Sequence, residues 1–484
     1  MENKLSLYKP SNVWKYFEEI LTIPRPSKKE EKIIKYLIEF AEKNNLPYKK
    51  DDIGNILITK PPFKGFENKP TIVLQSHMDM VCEKNADVNH NFDTDPIPYY
   101  IDDGWVKSNG TTLGADNGIG IAIQLAILED YSLKHGKLEC LFTVDEESGL
   151  TGAYGIKPNF FEGKYLINID SEDEGIIYIG CAGGIDTTGI LKFNLIDIPK
   201  EEFSTLSIKI SGLNGGHSGD DINKGFGNAI KFATRILFYL FKNTKVFLSN
   251  ITGGNLPNAI PREASFIISF KNKHKDKILG IINEEWNNIL NEYKSIEKNA
   301  KLNIEKVETP EKHIDIDSTK KIISVLYSLP HGVICMNNEI KGLVSTSTNL
   351  ASIQRKDNVY EITTSQRSDV TSLKTEVANR NASIFMLAKI NYYHSIGYPG
   401  WKPNPQSILV KKASKIYETL FNKKPKITAI HAGLECGVFT KYYPYLDMIS
   451  IGPNVRNAHS PSEMLEIKSV EKFYQFLTAL IENF

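Results

Sequence analysis

His77 and Asp79 stand two residues apart in Ser76-His77-Met78-Asp79, directly after the apolar run Thr71-Ile72-Val73-Leu74. Side-chain direction repeats every two residues along a strand, so an imidazole and a carboxylate at this spacing point the same way. A metal-bound histidine gives its second ring nitrogen to an acceptor that fixes its tautomer and raises its basicity. The pair therefore suits a metal site at the mouth of a parallel sheet, where α/β proteins hold their ligands. Alone the pattern is common. Four further clusters give it weight.

Asp116 sits in Gly114-Ala115-Asp116-Asn117-Gly118, ahead of the apolar run Ile121–Leu128 that reads as a buried helix. The flanking glycines permit a sharp turn and a close approach. Asp116 is either a carboxylate aimed into a site or an ordinary helix N-cap. The run Leu141-Phe142-Thr143-Val144 leads straight into Asp145-Glu146-Glu147. Adjacent acids at the end of an apolar strand repel one another, and a divalent cation supplies the counter-charge. Glu146 and Glu147 point to different sides, so one can bind metal while its neighbour acts as a base. Tyr165–Ile169 is another strand ending in an acid, Asp170, and far along the chain Met448–Gly452 leads to Asn457-Ala458-His459-Ser460-Pro461-Ser462-Glu463. This mixed nitrogen and oxygen set suits zinc or another borderline transition metal better than calcium or magnesium. So many carboxylates fit two ions about 3.5–4 Å apart, bridged by one carboxylate and one water.

The motifs SHMDMVCEKN (76–85), LGADNGIGIA (113–122), TVDEESGLTGA (143–153), INIDSEDEG (167–175), NGGHSGDDI (214–222), GGNLPNAIPREA (253–264), HAGLECGVF (431–439) and NAHSPSE (457–463) occur in order over nearly the whole chain. In them the chain resembles the co-catalytic di-zinc aminopeptidase and acylase group, and within it the bacterial aminoacyl-histidine (Xaa-His, or β-alanyl-histidine) dipeptidases. The resemblance implies two Zn²⁺ per chain, with Mn²⁺ or Co²⁺ as substitutes. His77 and Asp170 would hold one ion, Glu147 and His459 the other, and Asp116 would bridge them. It further implies Glu146 as general base, Asp79 as orienting partner of His77, His217 as an oxyanion donor, and a cis peptide at Asp116–Asn117. The implied reaction is hydrolysis of dipeptides such as β-alanyl-histidine by a di-zinc-bridged water. Asp170, where acylase relatives carry Glu, resembles the aminopeptidase and dipeptidase branch. Without the resemblance, His217 reads rather as a turn histidine between glycines.

Positioning these groups takes a layered α/β domain. Residues to about 186 alternate helical patterns (Val13–Ile20, Glu30–Glu42) with the short apolar strands already named. From Ser204 the character changes to amphipathic strands such as Leu206–Ile210 and a long helix over Ile230–Phe241. The α/β pattern returns near Ser407 and closes with a helix over Ser469–Glu482. Because His459 lies in this last piece, the catalytic domain is expected in two segments, 1–186 and 401–484, around an inserted lid, 187–400. The lid carries a weak internal repeat. One half runs through Gly253–Asn258 to a strand at Ala264–Phe270; the other runs from a helix at Ser318–Ser328 through Leu343–Asn349 to a strand at Tyr360–Thr364. Two α+β modules sharing one sheet are expected. Such a lid can supply in one chain what simpler relatives take from a partner subunit, so monomer and homodimer both stay open. In the lid, Arg367 suits a bidentate clamp on a terminal carboxylate, with an ordinary surface arginine as the alternative. Asn258 resembles the family's substrate-contacting asparagine, and Glu435 is placed to hold a free amino terminus.

At 484 residues the chain exceeds one ordinary core, and its 58 basic and 58 acidic residues balance, which gives no reason to invoke nucleic acid or an anionic membrane. Cys82, Cys140, Cys181, Cys335 and Cys436 are scattered without a C-x-x-C pair and read as reduced cytosolic thiols. The amino terminus lacks a signal-type apolar core, and no segment approaches about 18 apolar residues. A cytosolic enzyme acting on dipeptides is expected, without nucleic-acid or membrane partners. The rivals are a di-zinc tripeptide aminopeptidase, an N-acyl amino acid hydrolase, or a non-catalytic peptide-binding protein. The last would be expected to lose the base or a ligand, and every position is filled.

Overall fold

The computed structural model describes residues 4–484 and divides into two compact units. The first runs to Cys181 and resumes over Trp401–Ala429 and Leu434–Phe484; the second is Ala182–Gly400 with Ile430–Gly433. The return of Ile430–Gly433 to the second unit is not signalled by any break in the sequence pattern.

An eight-stranded mixed sheet forms the core of the first unit. At its centre Leu138–Thr143, Ile72–His77, Tyr165–Asn168 and Asp447–Ser450 lie side by side and parallel. Every residue of Ile72–His77 and Leu138–Thr143 is buried. That explains their unbroken apolar runs, since a parallel strand is covered on both faces. The helix Ala115–Glu129 is apolar nearly all round and correspondingly buried. Because these strands are parallel, the chemical residues that follow them emerge at one edge. His77 ends its strand, Glu146 and Glu147 follow Leu138–Thr143, and Asp170 follows Tyr165–Asn168. His459 reaches the site differently. It occupies the turn between Val455–Arg456 and Met464–Glu466, a hairpin fastened to Trp105–Ser108 in a separate four-stranded sheet.

The second unit is built on one nine-stranded sheet. The helices Ala229–Asn243, Lys275–Tyr293, Ile316–Ser328 and Thr371–Leu387 accompany it, and an apolar core runs from Leu191 and Ile208 through Ile236, Phe266 and Ile322 to Phe385. Both halves of the internal repeat contribute strands to this single sheet. Leu343–Asn349 is not a simple link, however: Val344 begins a strand that continues to Lys356. Its hydroxyl-bearing residues bond across the ladder, as Thr346 does to Ser368, so small polar residues serve here as buried strand formers. Among the described residues no helix is long and apolar enough to cross a membrane.

Candidate metal centre

His77 is 1% exposed, and its Nε2 lies 3.0 Å from Asp116 Oδ1 and 3.3 Å from Asp170 Oδ1. Its Nδ1 faces Asp79, 3.3 Å from Oδ1 and 3.2 Å from the carbonyl oxygen. The other oxygen of Asp116, Oδ2, is 3.1 Å from His459 Nε2, which also stands 3.0 Å from Glu147 Oε2. Asp116 thus offers one oxygen to each imidazole. The donor atoms form two overlapping groups, His77-Asp116-Asp170 and Asp116-Glu147-His459, each drawn from atoms within 4.8 Å of one another.

Each imidazole Nε2 faces a pair of carboxylates. Burial pulls His77 down, yet Asp170, Asp116 and Asp79 hold it well above its ordinary range. His459 is raised to about 11 by its bonds to Asp116 and Glu147. Burial raises the Asp116 carboxyl, but the two histidines outweigh it and hold it low. Something cationic must sit between these groups, either protons on both rings or metal ions on both Nε2 atoms. The donor set fits metal. It pairs imidazole nitrogens with carboxylate oxygens, Asp79 takes the opposite ring nitrogen of His77, and Glu147 Oε1 is buried without a hydrogen-bond partner.

Glu146 shares the strand end, and its carboxylate has no ion-pair or hydrogen-bond partner among the described residues. Burial raises its carboxyl well above the usual range; His77 opposes this, while Asp170, Glu147 and Glu435 reinforce it. It could also join a third donor group with His77 and Glu147. Asp79 is fully buried and does three jobs. It faces His77, takes the Glu146 and Glu147 backbone N–H groups at 3.0 and 3.2 Å, and accepts from Ser27 Oγ at 2.7 Å.

The turn that carries Asp116 is held from two sides. Glu463 accepts the backbone N–H groups of Leu113, Gly114 and Asp116 at 2.8, 2.9 and 3.2 Å. Arg25 is 2% exposed and donates to the carbonyls of Met78, Asp79 and Gly114. These bonds tie the loop after His77 to the loop before Asp116. Asp116 is not an N-cap: Gly114 caps the helix, while Asp116 and Asn117 keep non-helical backbone angles across a cis peptide. Asn117 donates to Asp170, fixing a second candidate ligand. Sequence reasoning missed Arg25, Ser27 and the role of Glu463. Glu463 lay inside a quoted motif; Arg25 had no signal beyond its two flanking prolines.

Glu435 has no exposed surface, and its Oε2 accepts from Gln75 and Thr143 at 2.5 and 3.0 Å. Burial raises its carboxyl to about 8, with His77 opposing. Its other oxygen, Oε1, is buried without a hydrogen-bond partner. Within the second unit, His217, Asn258 and Arg367 do gather. Arg367 Nη2 lies 3.3 Å from His217 Nε2, its Nε 3.4 Å from Ser218 Oγ, and its Nη1 donates to Tyr398 at 2.8 Å. Ser218 N donates to the Asn258 carbonyl at 2.7 Å. Arg367 is 6% exposed and meets no carboxylate at ion-pair distance among the described residues.

A family model described as peptidase family M20/M25/M40 matches residues 73–483. The chain is 42% identical over 481 residues to the cytosol non-specific dipeptidase of Escherichia coli (strain K12), covering 99% of each. The structure is similar to that of the aminoacylhistidine dipeptidase from Vibrio alginolyticus, with TM-score 0.91, 39% identity and coverage of 100% of this chain and 98% of that one. An aminopeptidase from Bacillus cereus ATCC 10987, 16% identical at TM-score 0.57 over 98% and 99% of the two chains, shares the fold.

Proposed function

The chain belongs to peptidase family M20/M25/M40, and from that premise we propose that it is a di-zinc dipeptidase of the cytosol. The observation that carries the reading is Asp116, whose two oxygens serve two different imidazoles. His77 and Asp170 would hold one ion and Glu147 and His459 the other, with Asp116 shared; Mn²⁺ or Co²⁺ could replace zinc. When bound, two such ions polarise a peptide carbonyl and lower the pKa of a water toward about 7.

The remaining steps belong to the chain's own side chains. Glu146 takes the attacking water's proton and returns it to the leaving amine, a task suited to a carboxyl whose burial raises its affinity for protons. Asp79 keeps the His77 ring oriented and, through the Glu146 and Glu147 amides, holds the base and a ligand in fixed relation. His217 is the donor assigned to the oxyanion. Arg367, buried without a carboxylate of its own, takes the C-terminal carboxylate, and Asn258 contacts the same end of the substrate.

A substrate panel tests this. Metal-free protein reconstituted with Zn²⁺, Mn²⁺ or Co²⁺ should cleave dipeptides, β-alanyl-histidine among them, faster than tripeptides or N-acyl amino acids. Preference for either of the latter would move the chain to a different specificity on the same centre; no hydrolysis of any would refute the proposal.

A further inference from the structure

Gly184 and Asp186 in the strand Gly183–Lys192 pair directly with Arg367 and Ser365 in Val359–Ser368. Directly opposed residues share a face, and so do residues two apart along a strand. Arg367, Ser365 and Asp186 therefore stand on one face of the sheet, with a glycine opposite the arginine. A Cβ at Gly184 would come within 2.6 Å of the Tyr398 ring, and one at Gly433 within 2.9 Å. The ring lies between two bare backbones, and its hydroxyl meets Arg367. Lys374 donates to the Tyr398 carbonyl and pins the segment from behind.

The result is a cavity of about 240 Å³ whose wall includes Arg367, Asn258, Asp186, Ser365, Ser395 and Tyr398. Ligand pockets for drug-sized molecules begin near about 300 Å³, so this one holds a single amino-acid residue. It contains both signs of charge without an ion pair between them; burial holds the Asp186 carboxyl above its ordinary range, and a hydrogen bond from Ser365 and the Arg367 charge oppose this. Asp186 is half-buried, its backbone is locked to Ser395 by bonds of 2.9 Å in both directions, and it has no ion pair among the described residues. Diagonal neighbours such as Arg367 and Asp186 are separated by about 7–8 Å. The two make no ion pair, although the Arg367 charge is felt at Asp186, and the spacing matches the span of one amino acid from its α-carboxylate to the tip of a long side chain.

We infer that this cavity is the subsite for the C-terminal residue of the substrate, and that Asp186 makes it selective for cationic or hydrogen-bond-donating side chains. The inference rests on the dipeptidase reading and adds the identity of the specificity residue. A protonated amine, guanidinium or imidazole facing Asp186 forms a partly desolvated ion pair. An aliphatic side chain leaves that carboxylate with only its Ser365 hydrogen bond.

Lysine and norleucine differ at the side-chain tip by the amine alone, so Ala-Lys and Ala-norleucine are the decisive pair. Wild-type enzyme should favour Ala-Lys in kcat/KM by about tenfold. Asp186→Asn should erase most of that preference through KM on Ala-Lys while changing Ala-norleucine by less than about twofold. Equal losses on both substrates, or a wild type that favours norleucine, would overturn the inference. Should the variant fold poorly, the wild-type ratio decides alone. A wild type inert to every dipeptide would sink the dipeptidase reading instead; calorimetry with N-acetyl-lysine against N-acetyl-norleucine would then settle the subsite, and equal affinities would count against it.

Discussion

At the scale of single residues, the candidate centre gives near-identical side chains different surroundings, which is what the proposed function asks of them. Glu146 and Glu147 are neighbours, yet Glu147 bonds to His459 while Glu146 bonds to nothing among the described residues. A ligand needs a partner, and a base needs an open lone pair. Asp79 turns that contrast into fixed geometry by holding both amides. Asp79→Ala should therefore weaken metal binding by about 10–100-fold and also lower kcat at saturating metal. A loss of metal affinity with kcat fully restored by excess Zn²⁺ would show that its amide contacts do not matter. Arg367 gives a second prediction at this scale. If it holds the C-terminal carboxylate, Arg367→Ala should cost free-acid dipeptides roughly 2–5 kcal/mol in kcat/KM. C-terminal amides, which never made the contact, should lose little. Parallel losses in kinetics for an acid and amide pair would make Arg367 a support for its own unit.

At the scale of elements, parallel pairing places the candidate ligands, because strands running together release their acids at one edge. That much was legible in the sequence: apolar runs ending in His77, Glu146–Glu147 and Asp170 are local patterns. The bracing was not. Glu463 and Leu113 are 350 residues apart, as are Gln75 and Glu435 by 360. No periodicity links such residues, so the fold had to reveal that Glu463 holds the Asp116 turn and that Glu435 lies buried. Asp186 was invisible for the same reason, since a lone acid in a strand carries no motif. Glu463 is 2% exposed and satisfies three backbone donors. Glu463→Ala would strand them, at a cost of about 2–4 kcal/mol, and loosen the turn that carries the shared ligand. Chemical denaturation of metal-free protein should show the stability loss, and metal titration a weaker site. A variant as stable as wild type would mean that water satisfies the turn unaided.

At the scale of the whole molecule, the chain divides into two compact units, with breaks after Cys181 and Gly400 and a return of Ile430–Gly433 to the second. The second unit carries a pH signature of its own. His313 has no exposed surface, hydrogen-bonds Ser269 at 2.6 Å, and is held by burial down to about 4. In the unfolded chain its pKa is about 6.5. Between those values the unfolded state binds a proton that the native state refuses, so this contribution is complete above about pH 6.5 and declines as pH falls toward 4. Glu435, raised to about 8, works in the opposite sense, so the wild-type curve alone does not isolate His313. The difference between wild type and His313→Gln does. That stability gap should shrink by on the order of 1–2 kcal/mol from pH 7.5 to pH 5. Urea unfolding at the two pH values measures it, and an unchanged gap would show that His313 titrates normally in the fold.

In the proposed function, two metal sites share Asp116 while Glu146 is a base and not a ligand. Metal content and dipeptide hydrolysis measured together on wild type and Glu146→Gln test it most directly. Two Zn²⁺ per chain in both proteins, with activity lower in the variant by at least about 10²–10⁴, is the predicted result. A single ion in the wild type, or loss of an ion in Glu146→Gln, would contradict it.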